Sequence, residues 1–177
     1  IWANHVIDRL SEIADIKAKR NSLPQAISAL SVDLGVEFIQ AEESFQKTKA
    51  GIIQPHQAAS SMRNIIQQVW GEFVKRARTN PSGKPLEKRY ELKKASHRAE
   101  ISKSLASGED QLRLEYCFDM LYGVYQDLSG LSKRTATSPI KMLHDLRTRW
   151  ILTLDSLRPF FPKDFIRVAQ HSVQPTA

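Results

Sequence analysis

Apolar residues recur along this chain every three or four positions, the spacing that lines one face of an α-helix. Trp2, Val6, Leu10 and Ile13 open the pattern, and Asn21-Ser22-Leu23-Pro24 interrupts it, because a residue before proline is pushed from helical angles. A long segment from about Pro24 to Ala50 carries Leu34, Phe38, Ala41 and Phe45, and Gly51 stands where a left-handed cap would end it. Pro55 suits a first helical turn, after which Ala58, Met62, Ile65, Ile66, Val69 and Phe73 form a strong amphipathic stripe. Lys75, Arg76 and Arg78 then occupy its last turn, at the negative end of the helix dipole.

Asn80-Pro81-Ser82-Gly83-Lys84-Pro85 reads as a loop. Leu86 to Leu105 reads as a helix with a thin apolar line (Leu86, Tyr90, His97, Ile101, Leu105), suited to the edge of a domain, and Ser107-Gly108 ends it. Leu114, Phe118, Leu121, Tyr125 and Leu128 predict the next helix, closed by Gly130. Ser138 as N-cap and Pro139 in the first turn start a last one through Ile140, Leu143, Arg147, Trp150, Leu154 and Leu157. Pro159 and Pro162 stop it. No alternating run, hairpin dipeptide or internal repeat appears. The expectation is an all-α, up-and-down bundle of five to six helices. Its parts would be an N-terminal helix over residues 1–22, packing on the bundle or on a partner, a bundle domain over 23–169, and a frayed tail over 170–177.

The chain has 177 residues with 41% hydrophobic and 25% charged side chains, enough to build a core and no more than one domain requires. No apolar run approaches the roughly 20 residues that cross a bilayer, so no membrane partner is expected. Ile1-Trp2-Ala3-Asn4-His5 has neither an initiator methionine nor a signal pattern, which reads as a segment of a longer protein. A single cysteine, Cys117, forbids an intramolecular disulfide and points to a reducing, cytoplasmic setting; within an apolar helical run it reads as a buried structural thiol.

The net charge of +7 is concentrated. Between Lys75 and Arg98 stand nine basic and two acidic residues, an excess equal to that of the entire chain. Lys84, Lys88, Arg89, Lys93, Lys94 and Arg98 are therefore the candidate nucleic-acid-binding residues, with RNA or DNA as partner and Tyr90 as a stacking platform. The competing reading of the same run is a solvated helix face, because the cations surround the helix instead of forming one stripe. A protein partner or a homodimer is the other expectation, with Trp2, Phe160 and Phe161 marking its surface.

Catalytic signatures are sparse. Phosphate-loop, dinucleotide, zinc-protease and nucleophile-elbow motifs are all missing, and seven glycines, mostly at helix ends, cannot build a phosphate cradle. No two of the five histidines are three or four positions apart, so no helix presents a two-histidine metal face, and neither metal nor cofactor is expected. The most suggestive cluster is His144-Asp145 beside Arg147 and Arg149. His144 as acid or base, with Arg147 or Arg63 holding the anion, would suit a metal-independent ribonuclease. An ordinary polar helix surface explains the same residues.

Leu34-Gly35-Val36-Glu37 before one amphipathic helix, Gln57-Ala58-Ala59-Ser60-Ser61-Met62-Arg63 opening the next, Gly83-Lys84-Pro85 before the basic segment, and Ile140 to Asp145 late in the chain together resemble a bacterial family. It comprises the predicted nucleases associated with prokaryotic PIWI proteins, related in style to the HEPN bundles, and the likeness spans about Leu34 to Phe161. The resemblance implies a HEPN-like helical module of antiviral defence that acts on or senses nucleic acid. Nucleolytic HEPN domains resemble one another in an Arg-x(4–6)-His motif. Here Arg89 and His97 enclose seven residues, Arg134 and His144 nine, and Arg167 and His171 three. The departure favours a binding or assembly role over catalysis.

Overall fold

The computed structural model describes residues 2–79, 89–132 and 139–162, with side chains of the first helix from Ser11 onward. Among them are six α-helices, α1 (Trp2–Ser28), α2 (Val32–Lys49), α3 (Pro55–Thr79), α4 (Ala95–Leu105), α5 (Gly108–Ser132) and α6 (Pro139–Ser156), then a 3₁₀ turn over Arg158–Phe160. The protein is all-α: no strand occurs among the described residues, and no helix there is long and apolar enough to cross a membrane.

The first helix departs from expectation. It runs unbroken from Trp2 through Asn21–Pro24 and ends at Ser28, so the helix does not stop at residue 22. Pro24 removes one backbone donor, yet Leu23 and Ile27 on either side of it are fully buried, and that burial holds the turn helical. The break falls at Ser31, whose extended backbone (φ −162°, ψ 132°) starts α2. There α1 and α2 meet closely. Gly35 faces Pro24 and Ser28, and a Cβ at this position would stand 3.0 Å from the Pro24 carbonyl oxygen and collide with the Ser28 side chain.

The end of α2 follows its sequence signal. Gly51 adopts φ +73°, Ile52 N–H donates to Lys47 O and Gly51 N–H to Thr48 O, the paired bonds of a left-handed helix cap. The helix predicted over Leu86–Leu105 starts only at Ala95, and residues 89–94 form a turn. Tyr90 and Leu92 are buried there, which pulls the segment onto α3 and α5 instead of extending α4 outward. Gly130, expected to close α5, lies within it.

Contacts between side chains give the topology. Glu37 meets Gln68, Gln67 meets Tyr125, Asp127 meets Arg149, and Glu42 meets Arg147. With Trp70–Phe118 and Phe38–Trp150, these make α2, α3, α5 and α6 an antiparallel up-and-down bundle. The C-terminal part of α1 packs across α2 and α6, and α4 lies against α5 and α3. Phe38 stacks on Trp150 at 4.8 Å and 11°, while Phe118 receives Trp70 and Phe73 edge-on at 5.0 and 5.2 Å. Cys117 is buried as expected, its Sγ 3.6 Å from Ser156 O.

Candidate functional site

Of the basic segment, residues 75–79 end α3, and residues 89–94, described just before α4, border an open cleft. Its volume is about 470 Å³, with Gln67 and Trp70 of α3, Tyr125 of α5, and Arg89, Glu91 and Lys93 along its walls. Gln67 Nε2 donates to the Tyr125 hydroxyl oxygen at 2.9 Å across the floor. These residues were invisible as a site in the sequence, since Gln67 and Tyr125 are 58 positions apart and neither belongs to a recognisable motif.

The cations of this segment have different fates. Arg89 is exposed at the cleft and forms no ion pair among the described residues. Lys93 and Lys94 are exposed but share one carboxylate, Glu91, at 3.2 and 3.9 Å. A hydrogen bond from Lys93, with Lys94 and Arg89 nearby, holds the Glu91 carboxyl below its usual range, so Glu91 stays ionised and offsets one of the three charges. Lys84 and Lys88 lie outside the described residues.

Arg98 is an interior residue. Its Nε donates to Asp119 at 2.6 Å, its guanidinium donates to Leu92 O at 2.6 Å, and it lies 4.9 Å over the Tyr122 ring. It faces inward because α4 begins at Ala95, which turns the fourth helical position onto α5. A phosphate at the surface cannot reach it. Tyr90, proposed from the sequence as a stacking platform, is buried as well. Its hydroxyl donates to Glu100 at 2.7 Å and its backbone oxygen accepts from Trp70 Nε1 at 3.3 Å. Burial, reinforced by the bond to Glu100, pushes the Tyr90 phenol up to about 12. The half-buried aromatic ring on the cleft is that of Tyr125.

The second candidate cluster is dispersed by its neighbours. His144 is exposed, its ring edge-on to Phe45 at 5.8 Å. Arg147 is buried and binds Glu42 through two bonds of 2.9 and 2.6 Å, with its guanidinium 4.3 Å from the Phe45 ring. Arg149 pairs with Asp127 at 2.6 Å. Arg63 is on α3 and reaches Ser132 at 3.4 Å. An arginine already held bidentately by a carboxylate has no open fork for a phosphate, so the structure brings His144 and Arg147 near one phenyl ring without making an anion site between them. No group of three metal-ligating side chains occurs among the described residues.

The aromatic residues expected to mark a partner surface do not form one among the described side chains. Phe161 is buried against Phe73, and the Phe160 backbone oxygen accepts from Arg76 at 2.6 Å, while the Trp2 side chain lies outside the described ones. Exposed apolar groups gather on α2 instead, where Val32, Val36 and Ile39 repeat at helical spacing.

Fold and site together give an all-α helical bundle with a polar, cation-edged cleft. No protein family, curated protein or solved structure matches the chain.

Proposed function

We propose that this chain is a non-catalytic helical module that contacts a nucleic-acid strand at the cleft between α3, α5 and the 89–94 turn. Arg89 and Lys93 take phosphate oxygens, and Tyr125 offers an aromatic surface to a base. The observation that supports this reading is the placement of Arg89. It is an exposed guanidinium that forms no ion pair among the described residues, on the same cleft as Lys93 and Tyr125. Nucleic-acid contact of this kind is electrostatic and indifferent to sequence. A catalytic role is not proposed, because Arg147 is committed to Glu42 and the chain lacks Arg-x(4–6)-His. The HEPN-like fold and the setting in bacterial antiviral defence are what the family resemblance suggests, and they belong to this proposal.

Fluorescence anisotropy with labelled single- and double-stranded DNA and RNA tests it. Affinity falls as salt rises, with a log–log slope of about 0.7 per single-strand phosphate engaged. Arg89→Glu abolishes binding, because it places a carboxylate at the cleft mouth. Affinity that stays level from low to physiological salt excludes the proposal.

A further inference from the structure

The 89–94 turn is not held by a helix or strand ladder. Side chains of α3 and α4 fix it: Trp70 Nε1 binds Tyr90 O, the Tyr90 hydroxyl binds Glu100, and the Arg98 guanidinium binds Leu92 O. The fourth tie is of another kind. The Glu91 backbone N–H donates to His97 Nδ1 at 2.9 Å, with the imidazole half-buried and 5.0 Å from the Tyr90 ring. Nδ1 accepts here, so the neutral ring carries its proton on Nε2.

An indole N–H and a guanidinium do not change charge between neutral and mildly acidic solution, and the Tyr90 phenol is pushed up to about 12. His97 is the tie that a proton can break. A protonated imidazole has two donors and no acceptor, so Nδ1–H would oppose the Glu91 N–H at hydrogen-bond distance. The added charge would enter a mixed field. Arg98 and Glu100 share its helix, and Arg89, Glu91, Lys93 and Lys94 stand on the turn. Arg78 of α3 acts on Tyr90, and Asp119 of α5 is paired with Arg98.

We propose that His97 is a positioning residue for the cation-bearing turn, and that protonating it loosens the turn at Glu91 and so weakens the nucleic-acid contact. The second half rests on the reading of the cleft given above. Simple Coulomb attraction has the opposite sign, because one more positive charge would strengthen binding to a polyanion. The direction of the pH effect therefore separates the two.

Hydrogen exchange of the Glu91 amide, corrected for the intrinsic rate, reads the first half in the absence of any ligand. From about pH 8 to about pH 5 its protection falls about tenfold in the wild type, as expected for loss of one hydrogen bond. His97→Asn retains an acceptor oxygen near the Nδ1 position and does not titrate, so its protection stays level. Equal protection of the wild-type amide at both pH values overturns the proposal without recourse to a variant. The same fall in His97→Asn also overturns it. Anisotropy with single-stranded oligothymidylate reads the second half: the wild type binds several-fold more weakly at the lower pH, and tighter binding there refutes the coupling. If amide protection falls as stated but no oligothymidylate binds at either pH, the positioning role of His97 stands and the nucleic-acid reading fails.

Discussion

Replacing Glu42 by glutamine should destabilise the bundle far more than a surface charge change would. Glu42 and Arg147 have side chains only 14% and 11% exposed and are joined by two short bonds, with the guanidinium over the Phe45 ring. Removing one partner of a buried pair costs about 3–5 kcal/mol, because the other charge is left without compensation. Glutamine keeps one acceptor oxygen and nearly the same shape, which brings Glu42→Gln below that range, to about 2–3 kcal/mol. In a domain of this size that lowers the melting temperature by roughly 5–10 °C. Urea titration of Glu42→Gln, and of Glu42→Leu, Arg147→Met and the double variant Glu42→Leu/Arg147→Met, checks the reasoning. Each single variant loses stability, while the double one returns close to wild type, since an apolar pair of similar volume has no desolvation to overcome. The cycle should show a coupling of about 2 kcal/mol or more. Additive single effects would refute the assignment and restore Arg147 as an arginine available to a ligand.

Two further outcomes follow from local geometry. Gly35→Ala gains about 1 kcal/mol of helix propensity but drives a Cβ into Ser28 and against Pro24 O, so a net loss of about 1–2 kcal/mol is expected in urea unfolding. Adding Ser28→Ala removes the nearest atom and recovers part of that loss. Tyr90 gives an alkaline signature: its phenol, raised from 10.0 to about 12 in the folded chain, keeps its proton where the unfolded phenol has lost it. Stability therefore declines as pH climbs from about 10 through about 12, and Tyr90→Phe, compared over the same range by chemical denaturation, lacks that part of the decline.

Periodicity carried the architecture. The stripes Leu34–Phe45, Ala58–Phe73 and Leu114–Leu128 fall on the buried faces of α2, α3 and α5, because a 3.6-residue repeat of apolar side chains has one economical way to leave water. Where local rules failed, burial outweighed them. Local rules make Pro24 a break and Gly130 a stop, yet Leu23 and Ile27 beside the one, and Leu128 and Leu131 beside the other, are buried deeply enough to keep the helix going.

The site was less legible, because charge is a property of sequence whereas availability of charge is a property of packing. A count of lysines and arginines located the basic segment but treated Arg89 and Arg98 as equals. The start of α4 at Ala95 leaves Arg89 in solvent on a turn and carries Arg98 inward to Asp119. Likewise, a histidine and an arginine three positions apart on α6 suggested a reactive pair, but Glu42 comes from a helix 105 residues away and closes the arginine. The chain alone determined which residues are apolar, basic or titratable, and hence that the protein is helical. Tertiary structure decided which of its charges remain open to a partner, since ion pairs form between neighbours in space and desolvation is set by whatever packs above them.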